Sequence, residues 1–154
     1  PPISYAALNY YPIHAFFLVN AEGKRQSIKY EWHPLKDEKS PSILDNIHLS
    51  KNYLHEDLEK RVEKGSVGFE LYIRIGEDTD PTDDPTDKWP SDRQKILVGR
   101  LTINKKVLPT ESLLFDPTIV GEGIDLSEDP ILHFRHDAYA VSFDRRNKED
   151  EKTP

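Results

Sequence analysis

The segment Phe134 to Arg146 places an arginine and a tyrosine at a spacing that could do chemistry. Arg135 and Tyr139 lie four residues apart, and residues i and i+4 of a helix share one face at about 5–6 Å. A cation at that distance favours the anionic form of a phenol, and an anionic oxygen suits ferric iron. The alternative is that Tyr139 is an ordinary aromatic residue of a core, and the spacing is compatible with both interpretations.

Two further arginines extend the first interpretation. Arg145 and Arg146 follow Tyr139 by about two helical turns. A guanidinium group pairs with a carboxylate through two parallel hydrogen bonds, and tyrosine is one of the axial ligands that proteins use for haem iron. The segment therefore admits a haem site in which Tyr139 binds iron and Arg145 and Arg146 meet the two propionates.

Other candidate sites receive less support from the sequence. The acidic segment 76–92 could offer oxygen ligands to calcium, but Pro81 and Pro85 stand where a calcium loop needs its sharp glycine turn. The repeated Asp-Pro-Thr at Asp80 and Asp84 is more typical of Asx turns. The histidines lack zinc-motif spacing, and we find neither a nucleophile elbow nor a glycine-rich phosphate loop.

Composition limits the class of protein. The chain has 154 residues, a formal net charge of −7, and neither cysteine nor methionine. This length suits one domain without disulfides, and the negative charge argues against a nucleic-acid partner. No window approaches the ~18 apolar residues of a membrane helix, and no signal peptide is visible. Because the sequence begins Pro1-Pro2, we expect a processed N-terminus or a piece of a longer protein.

Hydrophobic patterning predicts an α+β fold that is mainly antiparallel β. Period-two or continuous apolar runs predict four strands in two sequential pairs, and capping and 3.6-residue patterns predict two helices. Four strands with one apolar face each need a further sheet as partner. The predicted strands cover 14–20, 26–32, 67–75 and 95–104, and the predicted helices cover 50–64 and a segment that starts at Ser127 as its cap. We expect one domain over 1–146 and a charged, frayed tail over 147–154.

Five ordered segments resemble the catalase superfamily, most closely its small catalase-related peroxidase branch. The first segment is similar to the family's H-x-F-x-L-V-N-x-x-G hairpin, and the last corresponds to the R-x-x-x-Y that carries the haem ligand. The segments are HAFFLVNAEGKRQSIKYEW (14–32), DDPTDKWP (83–90), VGRLTIN (98–104), FDPTIVGEGIDLSEDPIL (115–132) and RHDAY (135–139). The resemblance covers most of the chain and implies the second half of an eight-stranded catalase-type barrel.

The resemblance also implies a set of site residues for haem b, iron protoporphyrin IX. It implies Tyr139 as the axial ligand of the haem iron, Arg135 as the group that keeps the phenol deprotonated, and Arg146 as a propionate partner. His14 would be a pocket residue on the same, proximal side. The apolar residues expected against the macrocycle are Val120, Ile131 and Ala138.

The function implied is haem-dependent breakdown of hydrogen peroxide, with an organic electron donor as a possible second substrate. The residues that follow Tyr139, AVSFDRR, match the small branch and not the large catalases. The family's distal histidine and asparagine precede the hairpin, so the resemblance implies that an N-terminal half is missing, that this chain alone is inactive, and that the parent is a homo-oligomer. The alternatives are a non-catalytic β-rich binding module on the same scaffold, or an enzyme acting on organic hydroperoxides.

Overall fold

The computed structural model describes residues 2–36, 50–107 and 113–150, with side chains to residue 148. Two helices, five strands and one short 3-10 turn form the described part of the chain. In chain order they are the 3-10 turn Tyr5–Ala7, β1 Phe16–Val19, β2 Arg25–Pro34, α1 Tyr53–Lys64, β3 Val67–Ile75, β4 Lys95–Ile103, β5 Ile124–Leu126 and α2 Pro130–Asp150.

The strands form one sheet in the order β4-β3-β2-β1-β5. The predicted hairpin of β1 and β2 is confirmed, since the two strands pair antiparallel with Phe16 opposite Ile28. Its turn is closed by Asn20, whose side-chain oxygen accepts the backbone N–H groups of Glu22 and Lys24. Gly23 adopts a φ of 77° in that turn, a conformation that favours glycine.

The prediction of four strands was incomplete, because a fifth strand precedes α2. Strand β5 has three residues and pairs antiparallel with β1, with Phe16 opposite Leu126. Gly123, at φ 79°, leads the chain into β5, and its carbonyl accepts the N–H of Val19. A three-residue strand shows too little alternation to be recognised in a sequence.

The chain divides into two compact units, of which unit 1 comprises residues 1–12, 30–73 and 95–108. Its core contains Ala6, Val67 and Phe69, with Trp32, Leu58, Val62 and Ile103 packed around them. The predicted apolar stripe of α1 therefore faces this core. Helix α1 begins at Tyr53, later than predicted, and ends at Lys64 as predicted, with Gly65 as its C-cap.

Unit 2 comprises residues 13–29, 74–94 and 109–154 and contains the acidic segment 76–92. Asp80 is buried, and its carboxylate accepts two hydrogen bonds from Arg93. Nε of Arg93 donates at 2.7 Å and a terminal guanidinium nitrogen donates at 3.0 Å. Asp84 accepts the N–H and the hydroxyl of Thr86 in the predicted Asx turn. Trp89, also buried, donates its indole N–H to the carbonyl of Pro81. These contacts give the segment a defined structural role.

Helix α2 is the longest element, with 21 residues from Pro130 to Asp150. It continues four residues into the segment predicted as a tail, and residues 151–154 lie outside the described part of the chain. Neither helix in the described ranges combines the length and apolarity needed to cross a bilayer.

Candidate functional site

The start of α2 is held by a buried carboxylate. Asp129 accepts the N–H groups of Ile131 at 2.8 Å and Leu132 at 3.2 Å through Oδ1. Its Oδ2 lies 2.6 Å from Nδ1 of His14, and both side chains are buried. The sequence prediction that Ser127 caps the helix is therefore wrong, because Asp129 occupies the cap position and Pro130 the first helical position. The Asp-Pro dipeptide at 129–130 was the signal that could have identified this cap.

His14 joins the segment before β1 to the beginning of α2. The residue is 5% exposed, and the second ring nitrogen of His14, Nε2, has no hydrogen-bond partner among the described residues. The hydroxyl of Ser127 is also buried and has no hydrogen-bond partner among the described residues. The backbone carbonyl oxygen of Ser127 lies 2.8 Å from Nε2 of His133. The sequence singled out His14 but did not reveal Asp129 as its partner.

Arg135 and Tyr139 lie together on α2 as predicted. A guanidinium nitrogen of Arg135 donates to the phenol oxygen of Tyr139 at 3.5 Å, and both side chains are half-buried. A distance of 3.5 Å is at the long end for a hydrogen bond. The predicted placement of Arg135 beside the phenol oxygen of Tyr139 is confirmed.

Most of the other predicted site residues share that face of α2. At about 100° per residue, Ile131, Ala138 and Arg146 project within the same arc as Arg135 and Tyr139. Ile131 is 48% exposed, and Ala138 and Arg146 are also exposed. The face thus presents a half-buried phenol, exposed apolar side chains and, towards one end, the exposed guanidinium group of Arg146.

Two predicted residues come from other elements. His14 reaches α2 through Asp129 at the helix start. Val120 lies in the segment before β5 and is 38% exposed. Arg145, the neighbour of Arg146, lies about 20° beyond Ala138 by the same helical geometry, at the edge of the Tyr139 face.

Sequence reasoning missed a polar cluster that joins the segment of Val120 to α2. The carboxylate of Asp116 accepts hydrogen bonds from the backbone N–H of Thr118 at 2.8 Å and from the Thr118 hydroxyl at 2.7 Å. Nδ1 of His136 lies 2.5 Å from the same carboxylate. The Thr118 groups, and then His136, hold the pKa of Asp116 below its ordinary value, against the effect of burial. The Asp-Pro-Thr motif at 116–118 could have indicated the turn, but not its histidine partner.

The donor set of this face fits a haem. A phenol oxygen is an established axial ligand of haem iron, exposed apolar side chains suit the flat macrocycle, and a guanidinium group suits a propionate. Among the described residues, the Tyr139 face of α2 brings these three kinds of group onto one helix, from Ile131 to Arg146.

Comparisons with known proteins agree on one family. The sequence model of the family described as Catalase matches residues 1–149. A catalase-related peroxidase of Synechococcus elongatus is 32% identical over 152 residues, which is 96% of this chain and 45% of that protein. A catalase-related peroxidase of Mycolicibacterium paratuberculosis is 33% identical over 153 residues, 97% of this chain and 49% of that protein.

The fold is similar to that of solved catalases. Catalase A from Saccharomyces cerevisiae superimposes with a TM-score of 0.83 over 94% of this chain and 33% of its own, at 21% identity. This likeness supports the fold alone. The chain spans about half the length of the two catalase-related peroxidases, at 45% and 49% of their sequences.

Proposed function

The chain belongs to the catalase family, and we propose that the protein it comes from breaks down hydrogen peroxide with a haem held by Tyr139. The observation that carries this proposal is the Arg135–Tyr139 hydrogen bond on the half-buried face of α2. The relatives from Synechococcus elongatus and Mycolicibacterium paratuberculosis carry the name catalase-related peroxidase. Their names support peroxide as the substrate class.

Tyr139 would bind the haem iron through its phenol oxygen, and the bound haem would supply the redox chemistry on peroxide. Arg135 donates to that same oxygen, so it would hold the phenol in the anionic form that iron requires. The arginine therefore acts on the ligand atom and not on the substrate. A phenol without a cation nearby would remain protonated near neutral pH.

The remaining residues would position the cofactor. Ile131 and Val120 expose apolar side chains, 48% and 38% respectively, which a macrocycle would cover. Arg146, seven residues after Tyr139, would pair with a propionate of haem b. The His14–Asp129 pair fixes the first turn of α2, which carries Ile131, and so limits where the helix can present its ligand.

The test is a direct assay of the full-length parent protein. We expect purified protein to contain haem and to consume hydrogen peroxide, and we expect the rate to rise with an organic reductant, as the relatives' name suggests. Protein that holds haem but consumes no peroxide would instead support a binding module. Faster turnover of alkyl hydroperoxides than of hydrogen peroxide would support the organic hydroperoxide alternative.

A further inference from the structure

Asp116 is the centre of a turn that immediately precedes Val120. Its backbone carbonyl accepts the N–H of Ile119 at 3.2 Å, and its Oδ1 accepts both polar groups of Thr118. The side chain of Asp116 has no exposed surface. The turn is thus built around one carboxylate whose Oδ1 is fully used within the turn.

The second oxygen of that carboxylate points to α2. Oδ2 of Asp116 lies 2.5 Å from Nδ1 of His136, which also lies 3.2 Å from the hydroxyl of Thr118. An ionised carboxylate only accepts hydrogen bonds, so Nδ1 of His136 must carry a hydrogen. A buried carboxylate oxygen without a donor is costly, and among the described residues His136 is the group that α2 supplies.

We propose that His136 is a positioning residue that latches the turn 116–119 to α2 and thereby holds Val120 in register with Tyr139. This inference rests on the proposed function, because Val120 and Tyr139 are both proposed to contact the haem. His136 follows Arg135 directly in the helix, so the latch joins α2 within one turn of the ligand. The side chain of His136 is 59% exposed, and His136 is not one of the residues proposed to contact the haem.

The contact between His136 and Asp116 requires a hydrogen-bond donor at the position of Nδ1, and it does not require a positive charge on the imidazole ring. Nδ1 of His136 carries a hydrogen in the protonated ring and also in the neutral tautomer that faces a carboxylate. The amide nitrogen of an asparagine is the same number of bonds from Cα as Nδ1. His136→Asn should therefore keep the latch, whereas His136→Leu, of similar size, removes the donor.

The experiment uses the full-length holoprotein and two readouts. Hydrogen exchange of the peptide covering 113–120 reports the turn, through the amides of Thr118 and Ile119. Haem release to excess apomyoglobin reports the pocket. For His136→Leu we expect exchange and haem release each to be about three- to tenfold faster, with His136→Asn close to wild type in both. His133→Leu is the matched control, because His133 contacts Ser127 and not this turn.

Each outcome decides the proposal. Unchanged exchange in His136→Leu would overturn it, as would faster exchange with unchanged haem release. An asparagine variant as impaired as the leucine variant would overturn the hydrogen-bond account. If His136→Leu does not fold, His136→Gln, whose amide nitrogen lies one bond too far, replaces it in the comparison with asparagine. A wild-type parent without haem would refute the proposed function itself, and this is a different result from normal haem binding in every variant.

Discussion

The phenol of Tyr139 and the guanidinium group of Arg135 form the smallest unit on which the proposed chemistry depends. They are four residues apart on α2, with a donor–acceptor distance of 3.5 Å. A tyrosine that served only as a core aromatic would not need a cation at its oxygen. Both side chains are half-buried and lie on the same face of α2 as Ile131.

Substitution of Arg135 separates the role of its charge from that of its bulk. Arg135→Leu in the parent protein should weaken haem binding about tenfold or more, because the anionic phenol loses a charged hydrogen-bond donor. Arg135→Lys keeps a cation and should lose less. Haem affinity, measured by titration of the apoprotein, checks this order. Equal affinity in the leucine variant and the wild type would show that the arginine does not act on the ligand.

At the scale of elements, α2 depends on its first turn. Asp129 combines a helix cap with a contact to His14. Asp129→Ala should lower the free energy of unfolding by about 0.5–2 kcal/mol for the lost cap alone, and by more because His14 loses its partner. Asp129→Ser keeps a capping oxygen and should lose less. Urea unfolding of the parent checks this, and identical losses in both variants would mean that the cap contributes little.

The acidic segment should respond to pH through Asp80. Arg93, hydrogen-bonded to its carboxylate, holds the pKa of Asp80 below its ordinary value. Because the pKa of Asp80 is lower in the folded chain than in the unfolded chain, its ionised carboxylate stabilises the fold above about pH 4. This stabilisation is lost as the pH falls through the pKa of Asp80 in the folded state. At pH 7, Asp80→Asn should lower the Tm by on the order of 5 °C, with the difference shrinking below pH 4.

The control for this experiment is Asp83→Asn, because Asp83 is exposed in the same segment. It should leave the Tm nearly unchanged at both pH values. A Tm difference between Asp80→Asn and wild type that stays constant down to pH 3 would contradict the assignment of Arg93 as the stabilising partner.

Much of the element pattern could be predicted from the sequence, and the exceptions have physical reasons. Strand β3 was predicted with its observed bounds, Val67–Ile75, because its alternation is long and regular. Strand β5 was missed because three residues carry no period. The site face of α2 followed from local spacing, but the His14–Asp129 contact joins residues 115 positions apart. Such a pair leaves no local signal, and the same holds for Asp116 and His136.

At the scale of the whole molecule, strand β4 is the feature that we expect another protein segment to cover. It lies at one end of the sheet, and its apolar side chains are exposed at Ile96, Leu97, Val98 and Leu101. An edge strand with uncovered apolar residues tends to pair with another chain. We propose that in the parent protein the remaining part of the catalase domain covers this strand.

Residues 1–154 expressed alone should therefore self-associate. Size-exclusion chromatography should show oligomers or aggregates, and Leu97→Lys should reduce them, because a lysine on an edge strand opposes strand pairing. Lys88→Leu, at an exposed position that is not part of β4, is a control that should not reduce association. A monodisperse monomer of the wild-type chain would show that β4 needs no partner.

The absorption spectrum of the full-length protein, compared between wild type and Tyr139→Phe, tests the central claim most directly. The substitution keeps the ring and removes the oxygen that is proposed to bind iron, and Tyr11→Phe, at an exposed tyrosine, is the matched control. We predict a Soret band of bound haem in the wild type and the control, and its loss or marked shift in Tyr139→Phe together with loss of peroxide turnover. An unchanged Soret band and unchanged turnover in Tyr139→Phe would contradict the account, because another residue would then hold the iron.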